Sequence, residues 1–240
     1  TQLAQKQFSD FLKERINIAS FWKYNDIGFN AYKNGKYQEA IKNYNLAKNS
    51  INSTHNIANK AQFLKYINSL ISEAQKAQRK RIAYINQLKT HIISHYDEVE
   101  NLTYYFDSSN TSFAGLSHQA FFSPIFLFMT KEGNNKQLII RISYFGDSWI
   151  FYDSIIFNID GEKYVIGSTE LDEPRREVVE IGVWESSVLL YNRYDNIINK
   201  IINSNKTIMR LSGKYNEDFI ITEEQKLAMQ RMLDYYKFVE

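Results

Sequence analysis

The sequence predicts an α+β protein: an N-terminal helical domain, built from a helical hairpin, flanking helices and one long helix, followed by a C-terminal antiparallel β-sheet domain with two helices. Three observations predict it. Apolar residues recur at three- and four-residue steps as far as about Val99, the period of a helix with one buried face. From Phe122 onward the period switches to alternation. Between them a stretch rich in Ser, Asn and Thr shows neither period. The domains are accordingly placed at 1–100 (helical), 101–120 (linker) and 121–240 (β-rich). At 240 residues, 44% hydrophobic and 15% aromatic, the chain is long enough for two modest cores.

In chain order, residues 3–20 read as a first helix whose apolar stripe is Leu3, Phe8, Phe11, Leu12, Ile16 and Ile18. That stripe needs a neighbour, and the hairpin after it is expected to supply one. Within Phe21–Asn52 the small residues Gly28, Ala40 and Ala47 set how closely two helices approach. Tyr24, Ile27, Ala31, Tyr37, Ile41 and Tyr44 recur around them at helical steps. Lys33-Asn34-Gly35-Lys36 interrupts the pattern, and Gly35 can supply the positive φ of a tight turn. After a polar bend at Ser53-Thr54-His55-Asn56, a long helix is expected to about Val99, on Phe63, Ile67, Leu70, Ala74, Ala77, Ile85, Leu88, Ile92 and Val99. The charge run Gln75–Arg81 in its middle reads as a solvated face.

The hairpin residues resemble a tetratricopeptide repeat (TPR), a helix-turn-helix unit. The matches are Tyr24, Ile27, Gly28, Tyr32, Gly35, Tyr37, Ala40, Tyr44 and Ala47. Tyr24 stands where the repeat has tryptophan, and Asn52 where it has its closing proline. The resemblance covers about a seventh of the chain. It implies that the face of the first hairpin helix turned away from the second, with Trp22, Asn25, Phe29, Tyr32 and Lys33, lines a groove for a peptide or helix of another protein. Phe29 departs from the repeats that clamp a C-terminal carboxylate, which speaks against that chaperone-type clamp.

The second half reads as strands at 122–131, 137–145, 148–159, 162–167 and 177–185, five in succession in one antiparallel sheet. Glu132-Gly133-Asn134-Asn135 signals a hairpin, and Asp160-Gly161 is the preferred pair for a type I′ turn. A helix is expected from Ser187 to Asn203, a strand at 207–213, and a closing helix opened by a capping box of Thr222 and Gln225.

Composition excludes several classes of function. The net charge of +2 is too small to argue for nucleic acid, although aromatic and basic residues alternate in RISYFGDSWIFY. Residues 1–100 hold 15 Lys+Arg against 8 Asp+Glu, while the remainder holds 14 against 19, an asymmetry that can steer different partners. With no cysteine there is neither a disulfide nor a thiol nucleophile, and the redox compartment is left open. No apolar run is long enough to span a membrane. The sequence opens on Thr1 and not Met, which points to a removed leader or anchor or to trimmed disordered residues.

Signals for chemistry are weak. His91 and His95 lie four apart on an expected helix, but Ile92 stands where a metalloprotease carries glutamate, so no metal is expected. Asp147, Asp153, Asp160, Glu170, Asp172 and Glu173 fall near strand ends, where turns collect carboxylates in any case. Ser117-His118 is a bare dipeptide in the linker, and nine glycines form no phosphate loop. No catalytic residue and no cofactor are assigned.

These observations favour a non-enzymatic adaptor or scaffold that binds and stabilises another protein through the helical region. The alternative is a ligand-binding or hydrolytic β-domain with the hairpin as a targeting module. An Asn-, Lys-, Ile- and Tyr-rich chain with one such repeat and a β-rich domain resembles spirochaetal, Borrelia-type envelope proteins that carry a single TPR motif. That resemblance implies periplasmic or membrane-associated residence, with a cytoplasmic one as the alternative. It also implies a partner in the cell envelope and a part in virulence.

Overall fold

A computed structural model describes residues 2–54, 57–113, 123–179 and 182–239. The chain is α+β and divides into two compact units, Thr1–Tyr84 and Ile85–Glu240. The division falls before the stretch 101–120 that the sequence suggests as a linker. Residues 114–122, with Ser117 and His118, lie outside the described residues, as do His55 and Asn56 of the polar bend.

The helical unit consists of α1 (Gln2–Lys33), α2 (Tyr37–Asn52) and the greater part of α3 (Lys60–His91). The expected break between a first helix and the hairpin is not there. Ala19-Ser20-Phe21-Trp22 contains no glycine or proline, so nothing interrupts the hydrogen-bond ladder and α1 continues for 32 residues. It stops at Gly35, which has φ +70. The Gly35 amide donates to the Tyr32 carbonyl (3.0 Å) and the Lys36 amide to the Ala31 carbonyl (2.9 Å). This is the Schellman arrangement that closes a helix on a left-handed glycine. Arg81 of α3 then pins the turn by donating to the Gly35 carbonyl at 2.6 Å. The stretch Gln75–Arg81, expected to be simply solvated, thus carries one structural tie.

α2 returns antiparallel to α1, as the contacts Tyr32 with Tyr37, Gly28 with Tyr44 and Asn17 with Ser53 require. Phe21, Ala31, Ala40, Tyr44, Ala47 and Ile51 are buried together with Ile67, Ile71 and Ala74 of α3. A Cβ added at Gly28 would sit 2.7 Å from the Tyr44 ring and 3.3 Å from the Ala40 carbonyl, so glycine is what lets α1 and α2 close. At the far end, Lys60 donates to the carbonyls of Asn52 (2.9 Å) and Thr54 (2.5 Å), placing a cation at the C-terminal end of α2.

α3 ends at His91 and not at Val99. Ile92–Asp97 is strand β1, paired antiparallel with β2 (Leu102–Asp107). Ile92 and Ile93 are β-branched and stiff, and the residues after them alternate in burial. The Asp97 carboxylate accepts the amides of Val99 and Glu100 and turns the chain into the hairpin. The helical spacing to Val99 was a coincidence of apolar residues, and Val99 itself is exposed.

A short 3-10 helix (Ser108–Phe113) follows, then β3 (Ile125–Glu132), β4 (Asn135–Gly146), β5 (Tyr152–Ile159), β6 (Glu162–Ile166), β7 (Arg175–Val179), β8 (Gly182–Leu190), α4 (Tyr191–Asn203), β9 (Thr207–Gly213), β10 (Asn216–Ile221) and α5 (Glu223–Phe238). The strands form two antiparallel sheets where one was expected. One has the order β1-β2-β3-β4-β8-β7, the other β10-β9-β5-β6. The stretch 177–185 holds not one strand but the bend of a hairpin, with Val179 paired to Gly182. Ile181, expected on its apolar side, lies outside the described residues. β8 also takes residues 187–190 from the expected helix, because Leu189 fills the core beside Ile140.

Both expected turns form. Asp160 and Gly161 have φ of 49 and 94, as a type I′ turn needs. Gly133, at φ 55, closes the turn between the paired Glu132 and Asn135. The capping box is complete, with the Thr222 hydroxyl accepting the Gln225 amide and the Gln225 side chain accepting the Thr222 amide. One core gathers Leu127, Ile140, Phe157, Leu211, Ile198 and Met232 from both sheets and both helices. On the opposite side of the six-stranded sheet, Phe106, Phe126, Phe128 and Ile139 form a smaller cluster.

Candidate interaction face on the first helix

The five residues expected to meet a partner divide into two groups. Trp22 is 47% exposed and Phe29 44%, and Lys33 beside them is exposed. Seven residues, about two helical turns, separate the two rings, so they share one side of α1. Asn25, only 6% exposed, does not belong to that side. Three residues carry it about 300° around the helix from Trp22, back toward Phe21, and its Oδ1 is buried without a hydrogen-bond partner among the described residues. Tyr32 is half-buried and meets the Tyr37 ring edge-on at 5.5 Å, so it serves the hairpin.

Both exposed rings have neighbours within the helical unit. Trp22 packs edge-to-face on Phe21 (5.1 Å) and on Phe63 of α3 (6.0 Å). The Lys33 ammonium lies 4.5 Å from the centre of the Phe29 ring, within cation–π range. Of the residues that carry the repeat resemblance, Gly28, Ala40, Tyr44 and Ala47 are buried in the hairpin and Gly35 forms its turn, while Tyr24 and Tyr37 are half-buried. Ile27, expected inside, is exposed. Burial pushes the Tyr44 hydroxyl up to about 12, so at neutral pH it stays protonated and plays no part as a base.

The N-terminal part of α1 also departs from expectation. Leu3, Phe8, Phe11, Leu12 and Ile16, assigned to a stripe covered by the hairpin, are all exposed, Phe8 and Ile16 at 63% each. None of the three apolar clusters includes them. Helical spacing puts Phe8, Phe11, Leu12 and Ile16 on one side, with Leu3 about 80° beyond Phe11, but their register relative to Phe21 and Gly28 was the signal missed. Basic residues accompany them: the Arg15 guanidinium lies 5.8 Å from the Phe11 ring centre.

In the β-rich unit a recess of about 300 Å³ is lined by Ile156, Asn158, Lys163, Ile208, Arg210 and Asp218. None of the six carboxylates singled out in the sequence borders it. Asp218 is the one acid among the described residues that line it and is bound through both oxygens to Arg210, at 2.6 Å each. That pairing holds the Asp218 carboxyl below its ordinary range. Asp160 caps the amides of Asn205 and Lys206, and Glu173 pairs with Arg176. His91 ends α3 and His95 lies in β1, so they no longer share a helical face. Among the described residues no group of three His, Cys, Asp or Glu is arranged to hold a metal ion. Nor, among them, is any helix long and apolar enough to cross a membrane.

Comparison with known proteins adds no assignment: no family model, curated protein or solved structure matches the chain.

Proposed function

We propose that the protein is a non-enzymatic adaptor that docks and stabilises another protein on the solvent side of α1, with Trp22, Phe29 and Lys33 as the contact residues. The single observation that supports this reading is a pair of large rings kept in water yet already fixed by neighbours. Trp22 is braced by Phe21 and Phe63, and Phe29 lies under Lys33. A ring braced in this way loses little rotamer freedom when a partner covers it, and aromatic side chains dominate binding energy at such places. The β-rich unit provides a second contact face or an anchor. In keeping with the envelope resemblance, the proposed partner is a protein of the cell envelope.

The test compares capture by the full chain and by a Trp22→Ala, Phe29→Ala, Lys33→Ala variant whose circular dichroism matches the parent. The species retained by the parent is identified and then titrated as a purified protein. Loss of at least about tenfold in affinity, or roughly 1.4 kcal/mol, is expected. Equal binding by the folded variant would sink the reading.

A further inference from the structure

α1 carries two apolar stripes that point in different directions. Its hairpin half turns Phe21, Asn25 and Gly28 inward. In the N-terminal arm the apolar side is formed by Ala4, Phe8, Phe11, Leu12, Ile16 and Ala19, all exposed. At about 100° per residue that side lies roughly half a turn away from the inward stripe. It is continuous instead with the side that bears Trp22 and Phe29. The result is one solvent-facing ridge from Phe8 to Phe29, about 31 Å long at 1.5 Å per residue.

Charge narrows what can cover it. The helical unit, residues 1–84, holds 14 Lys+Arg against 5 Asp+Glu, a net +9. On the ridge itself Arg15, Lys23 and Lys33 stand against Asp26. Arg15 and Lys33 already lie over the rings of Phe11 and Phe29. A second copy of the chain would bring one strongly basic unit against another and set two Arg15 side chains in a shared seam. A lipid surface is served by helices whose cations lie opposite the apolar side. Here Arg15, Lys23 and Lys33 sit among the apolar residues, while the opposite side of the arm balances Lys6 and Lys13 with Asp10 and Glu14.

We propose that the occupant of the ridge is an acidic amphipathic α-helix of another protein, lying lengthwise along α1 from Phe8 to Phe29. This rests on the adaptor reading of the same helix and extends its contact surface into the arm. The partner helix spans about 20 residues, with an apolar stripe against Phe8, Leu12, Trp22 and Phe29 and carboxylates set against Arg15, Lys23 and Lys33. Electrostatic complementarity of this kind selects the partner and speeds the encounter.

The experiment titrates the full chain with two synthetic amphipathic helical peptides of about 21 residues that share one leucine stripe, one flanked by glutamate and one by lysine. The glutamate peptide is expected to bind at least about tenfold tighter, a margin that shrinks in high salt. A Phe8→Gln, Leu12→Gln variant, which keeps helix propensity and disturbs none of the clusters, is expected to lose at least about tenfold in affinity, with an unchanged melting curve. Equal affinity for the two peptides overturns the proposal. So does an arm variant that binds like the parent; if Trp22→Ala, Phe29→Ala still abolishes binding, the adaptor reading stands alone, and if it does not, both fall. A dimer in sedimentation, or co-sedimentation with phosphatidylglycerol vesicles, also overturns it when the arm variant abolishes either one.

Discussion

Replacing Gly28 by alanine sets two effects of opposite sign against each other. In an isolated helix alanine is preferred to glycine by about 1 kcal/mol. In the hairpin the added methyl group would lie 2.7 Å from two ring carbons of Tyr44, a side chain only 1% exposed and unable to swing clear. Overpacking of a filled site costs about 1–3 kcal/mol, so the net effect is expected to be a loss of up to about 2 kcal/mol. Asn30, two residues on, is exposed, and there the same change should help by about half a kcal/mol. Native-state hydrogen exchange of the α2 amides reads both substitutions in the full chain without requiring its two units to unfold together. Protection should fall, by up to roughly 30-fold, for Gly28→Ala and rise slightly for Asn30→Ala. If Gly28→Ala increases protection as Asn30→Ala does, the helices do not approach as closely as described and the account of the hairpin is wrong.

Three further outcomes follow from single side chains. Glu185 is fully buried and accepts the amides of Ile150 (2.7 Å) and Phe151 (2.9 Å) and the Arg176 guanidinium (3.1 Å). Glu185→Ala should therefore cost about 3–5 kcal/mol in urea unfolding, and a loss below about 1 kcal/mol would contradict this role. Asp107 is buried: burial works to raise its pKa, but bonds from Arg231 and Ser109 outweigh that and hold the carboxyl below its ordinary value of 3.8. A depressed folded-state value adds stability that is complete above 3.8 and is lost progressively as pH falls from there through the folded-state value. Asp107→Asn should be less stable at neutral pH and show a shallower decline in urea midpoint below about pH 4. Thr222→Ala removes the hydroxyl half of the capping box and should lower stability by about 1 kcal/mol, while Thr222→Ser should leave it nearly unchanged.

Local chemistry was legible wherever a few neighbouring residues decide the outcome. Gly35, Asp160-Gly161, Gly133 and the Thr222–Gln225 box each form what their sequence signals, because φ sign and side-chain reach are properties of one turn. The hairpin spacing of Gly28, Ala40, Tyr44 and Ala47 was readable for a similar reason. Elements set by distant partners were less accessible. β1 looked like the end of a helix because Ile92 and Val99 happen to fit a helical period, and only its pairing with β2 decides otherwise. The division into two sheets depends on which strands meet, which no single stretch encodes. On the candidate face, the repeat resemblance grouped Trp22, Phe29 and Lys33, which are exposed, with Asn25, which is buried. Its phase relative to Phe21 turns it inward, and the same phase carries the arm residues out to solvent.

The clamp made by Glu185 bears on the order of folding. Phe151 has φ +53, a conformation that costs a side-chain-bearing residue about 1–2 kcal/mol, so the segment before β5 has no local reason to adopt it. What secures it is a carboxylate 34 residues further along the sequence, available only once β8 has been laid against β4. Closing so long a loop comes late in a β-rich chain, and amides around Ile150 and Phe151 should be among the last in their unit to gain protection during refolding.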